Sequence, residues 1–299
     1  MADKYVDIDT LKYLLYDVHE LEKLLERERF VDHDKESLDM FLDSSKDFAD
    51  RELFPYFKEM DENPAFHKDG QVYVHKQVET MMKKGGELGF ISSSFDYEVG
   101  GLQIPLMAST ASSYILDAAN NHLPGYAGLT QGAAELIIHF AKKDLLDKYV
   151  PDMLAGNWGG TMCLTEPQAG SSLSDIVTKA TPNENGYYNI SGQKIFISAG
   201  DNQYLDNIVH LVLARVEGAP KGTKGISLFI VPKNRKLDDG SLEPNDVTSV
   251  ADFQKMGQKG YCTTHLGFGD KDDCRGWLVG EENNGLSCMF VMMNAARIG

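Results

Sequence analysis

The sequence predicts a multi-domain protein of α and β structure. An N-terminal all-α helical domain is followed by an antiparallel β-barrel or sandwich domain and by the start of a C-terminal helical domain. Three observations predict this order. Apolar residues recur at helical spacing through the first half, short apolar runs alternate with turn residues from Asn157, and no helix breaker interrupts the chain between Leu286 and Gly299. A chain of 299 residues is long enough for two domains with cores of their own.

The helical half begins with leucines at helical spacing between Leu11 and Leu25, where Asp9 or Thr10 is suited to cap the helix. Gly and Pro break the helical pattern over 86–105. Further amphipathic segments predict helices over 35–60, 74–88, 106–120 and 127–156.

The β half consists of short runs that are separated by turn residues such as Asn185-Gly186. Many short strands at this spacing are typical of a compact sandwich or barrel. The predicted strands cover 158–165, 175–182, 186–191, 194–198, 207–215, 225–231, 247–256, 263–269 and 275–279. The predicted domains are therefore 1–157, 158–285 and 286–299, with 1–36 as an extra helical segment. The last segment is too short to bury its apolar residues alone, so we expect it to be an exposed patch that favours self-association. Its apolar residues include Phe290, Val291, Met292 and Met293.

Composition excludes several classes of function. The net charge of −16 argues against a nucleic-acid partner, because phosphate binding needs clustered Lys and Arg. The four cysteines form no CxxC pair and the eight histidines no HExxH motif, so no metal site is expected. The sequence shows no signal peptide and no apolar run long enough for a membrane span. We expect a cytoplasmic protein with reduced, mostly buried thiols.

Two segments of the β half indicate a binding site. Residues 163–178 read CLTEPQAGSSLSDIVT, in which an apolar approach to Thr165 leads into a turn with Pro167 and Gly170, followed by serine hydroxyls. Residues 192–198 read GQKIFIS, an apolar strand that ends in a hydroxyl. Together the two motifs describe a sheet surface that holds a flat polar ring and a nearby phosphate.

This pair of motifs resembles the flavin-binding core of acyl-CoA dehydrogenases. In that family the first motif runs roughly Leu-Thr-Glu-Pro-x-Ala-Gly-Ser-Asp, and the second ends Trp-Ile-Thr or Trp-Ile-Ser. The order of the domains also matches, as do the segments 86–105, 149–167 and 276–286, so the resemblance covers about 37–299. The additional residues 1–36 point to the longer subfamily that includes methylthiopropionyl-CoA dehydrogenases.

The resemblance implies FAD as cofactor and assigns residues to it. Thr165 offers a hydroxyl and an N–H to the ring, Ser198 matches the hydroxyl that contacts flavin N5, and Phe196 matches the aromatic that packs on the ring face away from substrate. The loop through Gly170 and Ser171 would meet the FAD pyrophosphate and CoA. The implied cofactor-binding residues are Met162, Cys163, Leu164, Thr165, Gly170, Ser171, Phe196, Ile197, Ser198 and Arg297, and the implied substrate-binding residues are Ser171 and Asn294.

The family reaction implies an acyl-CoA substrate and electron-transfer flavoprotein as the electron acceptor, in a homo-oligomer. A Glu removes the α-proton of the thioester while the β-hydrogen moves as hydride to flavin N5. That Glu usually lies in the C-terminal helical domain, and a minority of members place it where this sequence has Ala296. No catalytic base is therefore assigned, and residues 1–299 alone are expected to be inactive. Glu166 is interpreted as a structural residue of the turn.

Two departures from the family pattern and two alternative functions remain. Ser172 stands where the family usually has Asp, and Phe196 where it usually has Trp; Asp175 is a candidate substitute for the missing carboxylate. The same residues would also suit an acyl-CoA oxidase-type relative or a non-catalytic module that binds flavin or CoA.

Overall fold

The computed structural model describes residues 5–298, and the side chains of these except 295, 296 and 298. The predicted fold class is confirmed: a helical region precedes a β-sheet region, and a final helix follows. Among the described residues, no helix is both long and apolar enough to cross a bilayer. The α-helices before the sheet are α1 Ile8–Tyr13, α2 Leu21–Leu25, α3 Lys35–Phe48, α4 Phe57–Glu62, α5 Gln77–Glu87, α6 Leu106–Asn120, α7 Pro124–Phe140 and α8 Lys143–Leu154.

Several helices are shorter than their sequence patterns predict. A π-helical turn over 14–18 and the left-handed backbone of Glu20 (φ 51°) separate α1 from α2. The predicted helix over 127–156 is two helices, because Ala141 and Lys142 adopt extended backbone between α7 and α8. The helical region also contains a hairpin that was not predicted, β1 Phe66–Lys68 and β2 Gln71–Tyr73.

The sheet region contains most of the predicted strands, with altered ends. Residues 186–191 and 194–198, which were predicted as two strands, lie in the single strand β5. A short hairpin of β8 and β9 was not predicted. The strands are β3 Trp158–Cys163, β4 Lys179–Pro182, β5 Tyr188–Ser198, β6 Asn207–Val216, β7 Ile226–Pro232, β8 Asn234–Lys236, β9 Leu242–Pro244, β10 Val247–Asp252, β11 Thr263–Phe268 and β12 Arg275–Val279.

The main sheet is not wholly antiparallel. Within the described chain it has eight strands in the order β10-β11-β5-β12-β7-β6-β3, with β4 against β5 and β6. Strand β3 pairs with β6 in parallel, and so does β4. Parallel pairing needs a long crossover, and the chain between β3 and β6 supplies one because it forms β4 and β5 on the way.

Strand β6 separates two apolar cores. Leu211 and Leu213 face the core shared with the helices, whereas Val212 and Ala214 face the core enclosed by the sheet. Helix α7 packs directly on β3: a Cβ at Gly160 would lie only 2.7 Å from Cβ of Ala133. This contact fixes the strand that leads into the first motif.

The final helix, α9 Gly285–Ile298, packs on α7 and β7. The expected exposure of its apolar residues is wrong for Met292 and right for Phe290, and Val291 and Met293 are partly buried. Met289 and Met292 are buried, and Met292 lies against Gly132 of α7, while Phe290 is 43% exposed. The four cysteines are unpaired and buried in the described structure.

Candidate functional site

The first motif begins where β3 leaves the sheet. Met162 and Leu164 pack against the core shared with the helices, and Cys163 points into the core enclosed by the sheet. Ile197 of β5 is also buried in that second core. The side chains of Cys163 and Ile197 therefore face away from any ligand on the outer surface, and only their backbone remains for the role that the resemblance implies.

A buried ion pair joins the first motif to the second. Nζ of Lys194 lies 2.8 Å from Oε1 of Glu166, and the two side chains are 0% and 1% exposed. Lys194 also donates to the carbonyl oxygen of Leu164 at 3.0 Å. The Glu166 carboxylate accepts further hydrogen bonds from the backbone N–H groups of Val177 and Thr178, at 2.7 and 3.1 Å. Glu166 thus fixes both ends of the loop 166–178, which agrees with its interpretation as a structural residue.

The environment of this pair shifts both pKa values. Burial raises the pKa of Glu166, but Lys194 and the hydrogen bonds from Thr178 and Val177 outweigh burial and hold this pKa below its usual value. Burial lowers the pKa of Lys194, and the neighbouring carboxylate opposes that shift. A buried carboxylate with several donors remains ionised at neutral pH and provides the charge that keeps the ammonium in the interior.

The loop after Glu166 presents small polar residues to solvent. Glu166 and Ala169 exchange backbone hydrogen bonds of 2.9 and 3.1 Å, which form a tight turn. The next residues, Gly170 and Ser171, are exposed. The Ser172 hydroxyl donates to Asp175 at 2.6 Å, so this pair occupies the position where the resemblance led us to expect a carboxylate.

Strand β5 carries a bulge at the second motif. Its register with β11 shifts between Lys194, opposite Leu266, and Ile197, opposite Thr264. Phe196 in the bulge has a φ of 58° and is 56% exposed. Because the bulge adds a residue, Lys194 and Ile197 both point inward while the Phe196 ring points outward, 4.6 Å between centroids from Phe253.

The two motifs are adjacent in the structure. The Ile195 N–H donates to the carbonyl oxygen of Thr165 at 2.9 Å. Within the part of the chain that the structure describes, the Thr165 N–H and the hydroxyls of Thr165 and Ser198 have no hydrogen-bond partner. Through the hydrogen bond from Ile195, Thr165 lies beside β5, in which Ser198 is close in the chain to Phe196, whose ring is exposed.

The end of the second motif is anchored to the helical region. The Ala199 N–H donates to the carbonyl oxygen of Cys262 at 3.0 Å, and the Cys262 N–H donates to the Tyr126 hydroxyl at 3.1 Å. Tyr126 belongs to α7, which also packs on β3. One helix therefore supports both motifs.

Among the described residues, no hydrogen bond connects the two implied residues of α9 to this surface. The Arg297 guanidinium donates to Asn294 of the same helix at 3.0 Å. No group of three or more His, Cys, Asp or Glu side chains suited to a metal ion occurs in the described residues. Sequence reasoning missed Lys194 and the bulge; a lysine inside an apolar strand, downstream of an acidic turn residue, was the available signal.

The residues present fit a flavin. A flat polar ring needs an apolar face and donors along its edge. Phe196 offers the apolar face, and Thr165 and Ser198 offer donors. A Cβ at Gly170 would meet only Cγ2 of Thr165, at 4.0 Å, so the protein's own packing leaves space beside the loop.

Comparisons with known proteins identify the family. The family model described as acyl-CoA dehydrogenase, N-terminal domain, matches residues 35–157, and the one described as acyl-CoA dehydrogenase, middle domain, matches 161–270. Butyryl-CoA dehydrogenase of Syntrophomonas wolfei is 34% identical over 299 residues, which cover 96% of this chain and 49% of that protein. 3-Methylmercaptopropionyl-CoA dehydrogenase of Ruegeria pomeroyi is 37% identical over 231 residues, covering 77% and 39%. The chain thus spans about half the length of the first of these relatives and less of the second.

Solved structures show the same fold. Butyryl-CoA dehydrogenase from Megasphaera elsdenii superposes with a TM-score of 0.69 at 24% identity, covering 89% of this chain and 64% of that one. An acyl-CoA dehydrogenase from Bacillus anthracis, described as complexed with FAD, gives 0.71 at 23% identity, covering 89% and 41%. The two family models and the relatives that are 34% and 37% identical establish that the chain belongs to the acyl-CoA dehydrogenase family and contains its N-terminal and middle domains.

Proposed function

We propose that this chain forms the FAD-binding part of an acyl-CoA dehydrogenase, which introduces a double bond between the α and β carbons of an acyl-CoA thioester. The observation that carries the proposal is the 2.9 Å hydrogen bond from the Ile195 N–H to the Thr165 carbonyl oxygen, which places the two motifs side by side. Their donors have no hydrogen-bond partner within the described part of the chain. When bound, FAD supplies the two-electron acceptor for this oxidation.

The roles of the chain's own residues follow from their chemistry. Thr165 and Ser198 donate hydrogen bonds to the ring, and Phe196 covers an apolar face. The exposed loop with Gly170 and Ser171 receives phosphate groups of FAD and CoA through backbone N–H groups. The side of the proposed FAD site is completed by Met162, Leu164 and the backbone of Cys163 and Ile197. Arg297 and Asn294 of α9 keep their proposed roles toward the FAD phosphates and the thioester.

The remaining parts of the proposal concern the whole protein. We propose domain boundaries at 157/158 and 285/286, an acyl-CoA substrate, electron-transfer flavoprotein as acceptor, and a homo-oligomer. The similarity to 3-methylmercaptopropionyl-CoA dehydrogenase supports a member of that subfamily. Because Ala296 occupies the position where some members carry the base, we propose that residues 1–299 bind FAD without turning over acyl-CoA by themselves.

Titration of FAD against the purified chain tests the binding proposal. We expect the flavin fluorescence to change saturably, and Thr165→Val and Ser198→Ala each to weaken binding about 2- to 10-fold, because a neutral hydrogen bond contributes about 0.5–1.5 kcal/mol. Ser241→Ala, on the separate β8–β9 hairpin, serves as the control and should leave binding unchanged. An absence of saturable binding by the unaltered chain would contradict the proposal.

A dye-linked assay with a panel of acyl-CoA thioesters tests the proposed lack of turnover. We expect no dye reduction above background with FAD in excess, because a placed base contributes about 10²–10⁴-fold to such a reaction. Turnover on the order of 1 per second, an ordinary enzymatic rate, would show that another residue of this chain acts as the base.

A further inference from the structure

The peptide group between Leu164 and Thr165 has a charged side chain at one end and an unpartnered donor at the other. The Lys194 ammonium donates to its carbonyl oxygen at 3.0 Å. Its N–H belongs to Thr165 and has no partner among the described residues. Resonance couples the two ends of a peptide group, so a cation at the oxygen draws electron density from the nitrogen and strengthens the N–H as a donor.

The location of Lys194 makes this polarisation strong. Its side chain is fully buried, so little water screens its charge. Glu166 opposes it, because its carboxylate lies 2.8 Å from the same ammonium. Lys194 donates a hydrogen bond directly to the peptide oxygen, whereas the Glu166 carboxylate acts on that oxygen only through its electrostatic field. The cation therefore dominates, and the two side chains influence the peptide with opposite signs.

We propose that Lys194 is a positioning residue that acts through the Leu164–Thr165 peptide to favour negative charge on the ring bound at Thr165, with Glu166 moderating the effect. This inference rests on the proposed FAD site. A flavin gains negative charge on two-electron reduction, so a strengthened donor binds the reduced form more tightly than the oxidised form. Lys194 and Glu166 thus set the reduction potential of the bound cofactor in opposite directions.

The test compares the midpoint potential of FAD bound to the unaltered chain, to Lys194→Met and to Glu166→Gln. Lys194→Met should lower the potential, with the ratio of affinities for reduced and oxidised FAD falling about tenfold, equivalent to about 30 mV for a two-electron couple. Glu166→Gln should raise the potential when it is measured at a pH low enough to keep Lys194 protonated, because burial lowers the pKa of Lys194 and the carboxylate that opposes this shift is gone. A purely structural pair would give shifts of the same sign in both variants, because either change would loosen the same loop. Equal signs, or no shift in either variant, would overturn the inference.

Folding is controlled by a third variant. Loss of one partner from a buried ion pair is strongly destabilising, so Lys194→Met and Glu166→Gln each risk unfolding. The double variant Lys194→Met/Glu166→Gln removes both charges and, because the cation dominates, should have a lower potential than the unaltered chain. A double variant whose potential equals or exceeds that of the unaltered chain would overturn the inference. Lys194→Arg retains the positive charge, so its midpoint potential should stay close to that of the unaltered chain.

A measurement without cofactor separates this inference from the proposed function. The amide proton resonance of Thr165 should shift in opposite directions in Glu166→Gln and in the double variant, because the donor strength changes with opposite sign. If the unaltered chain fails to bind FAD, the proposed function and this inference both fall. If it binds FAD while the potentials and the Thr165 resonance do not respond to Lys194, only the inference falls.

Discussion

At the residue scale, Gly170 lies in a loop where the fold itself does not need a glycine. Its backbone is outside the left-handed region, and an added Cβ would meet only Cγ2 of Thr165 at 4.0 Å. We therefore expect Gly170→Ala to change the free energy of unfolding by less than about 0.5 kcal/mol. FAD affinity should fall about tenfold, equivalent to about 1.4 kcal/mol, because the methyl group fills space beside Thr165 that the ligand requires.

Fluorescence titration with FAD and thermal melting of the same samples check this expectation. Gly257→Ala is the matched control, since an added Cβ at Gly257 would meet nothing within 4 Å and its backbone is likewise outside the left-handed region. An alanine at 170 that leaves both the melting temperature and the FAD affinity unchanged would remove this loop from the proposed site.

Residue types and spacing were sufficient to find the two motifs in the sequence, but not the interaction that joins them. Thr165 and Ser198 could be singled out because a hydroxyl follows an apolar run in both motifs. The pairing of Glu166 with Lys194 could not, because it depends on the register in which strand β5 passes the loop. A charge in an apolar strand becomes informative only when its partner is known.

At the scale of elements, the bulge in β5 holds Phe196 in a conformation that aromatic residues avoid. A left-handed backbone costs a non-glycine residue about 1–2 kcal/mol, and the ring contact with Phe253 returns about 0.5–1.5 kcal/mol. Phe196→Gly should therefore change the melting temperature by no more than a few degrees. It should nevertheless weaken FAD binding, because the exposed ring is lost.

Parallel measurements of the melting temperature and of FAD affinity separate these effects, with Phe253→Leu as a control that keeps Phe196. A large drop in melting temperature in Phe196→Gly would show that the ring is a structural element. Unchanged FAD affinity would show that the ring does not cover the cofactor.

The sequence predicted the positions of helices and strands better than the positions at which they are interrupted. Helix α6 and strand β12 occur where the apolar pattern predicts them. The hairpin β1–β2 was missed although its turn, Asp69-Gly70, has the left-handed φ values of 51° and 79° that two-residue hairpins require. The apolar pattern shows which residues are buried, but it does not show where an extra residue enters a strand, as in the bulge, or where two residues become extended, as between α7 and α8.

At the scale of the whole molecule, the order of domains was predictable because apolar residues recur at helical spacing in the first half of the chain and in short runs between turns in the second half. The parallel pairing of β3 with β6 was not, because it joins segments that are distant in sequence. This pairing matters for the site. It places Thr161, which lies in the strand that leads into the first motif, opposite His210 of β6.

His210 is a buried polar group in the core of the sheet. Its Nδ1 lies 2.8 Å from Oγ1 of Thr161, its Nε2 has no hydrogen-bond partner in the described structure, and its ring meets Phe268 edge to face. Burial, assisted by the nearby charge of Lys233, lowers the pKa of His210 from 6.5 to about 3. The unfolded chain therefore binds a proton between these values that the folded chain does not.

This difference makes the stability of the whole molecule depend on pH. The contribution of His210 is fully present above about pH 6.5 and is lost as the pH falls toward about 3, by up to about 1.4 kcal/mol per pH unit. His210→Asn should lack this pH-dependent loss of stability. The variant should be less stable than the unaltered chain at pH 7.5, and the difference between their free energies of unfolding should be smaller by about 2 kcal/mol at pH 5. Urea unfolding at pH 7.5 and pH 5 measures this difference.

His122 is also buried with a lowered pKa, but it is present in both proteins, so its contribution cancels. His19→Asn, at an exposed position, should show no such decrease, and a difference for His210→Asn that is the same at both pH values would mean that His210 is accessible to protons in the folded state.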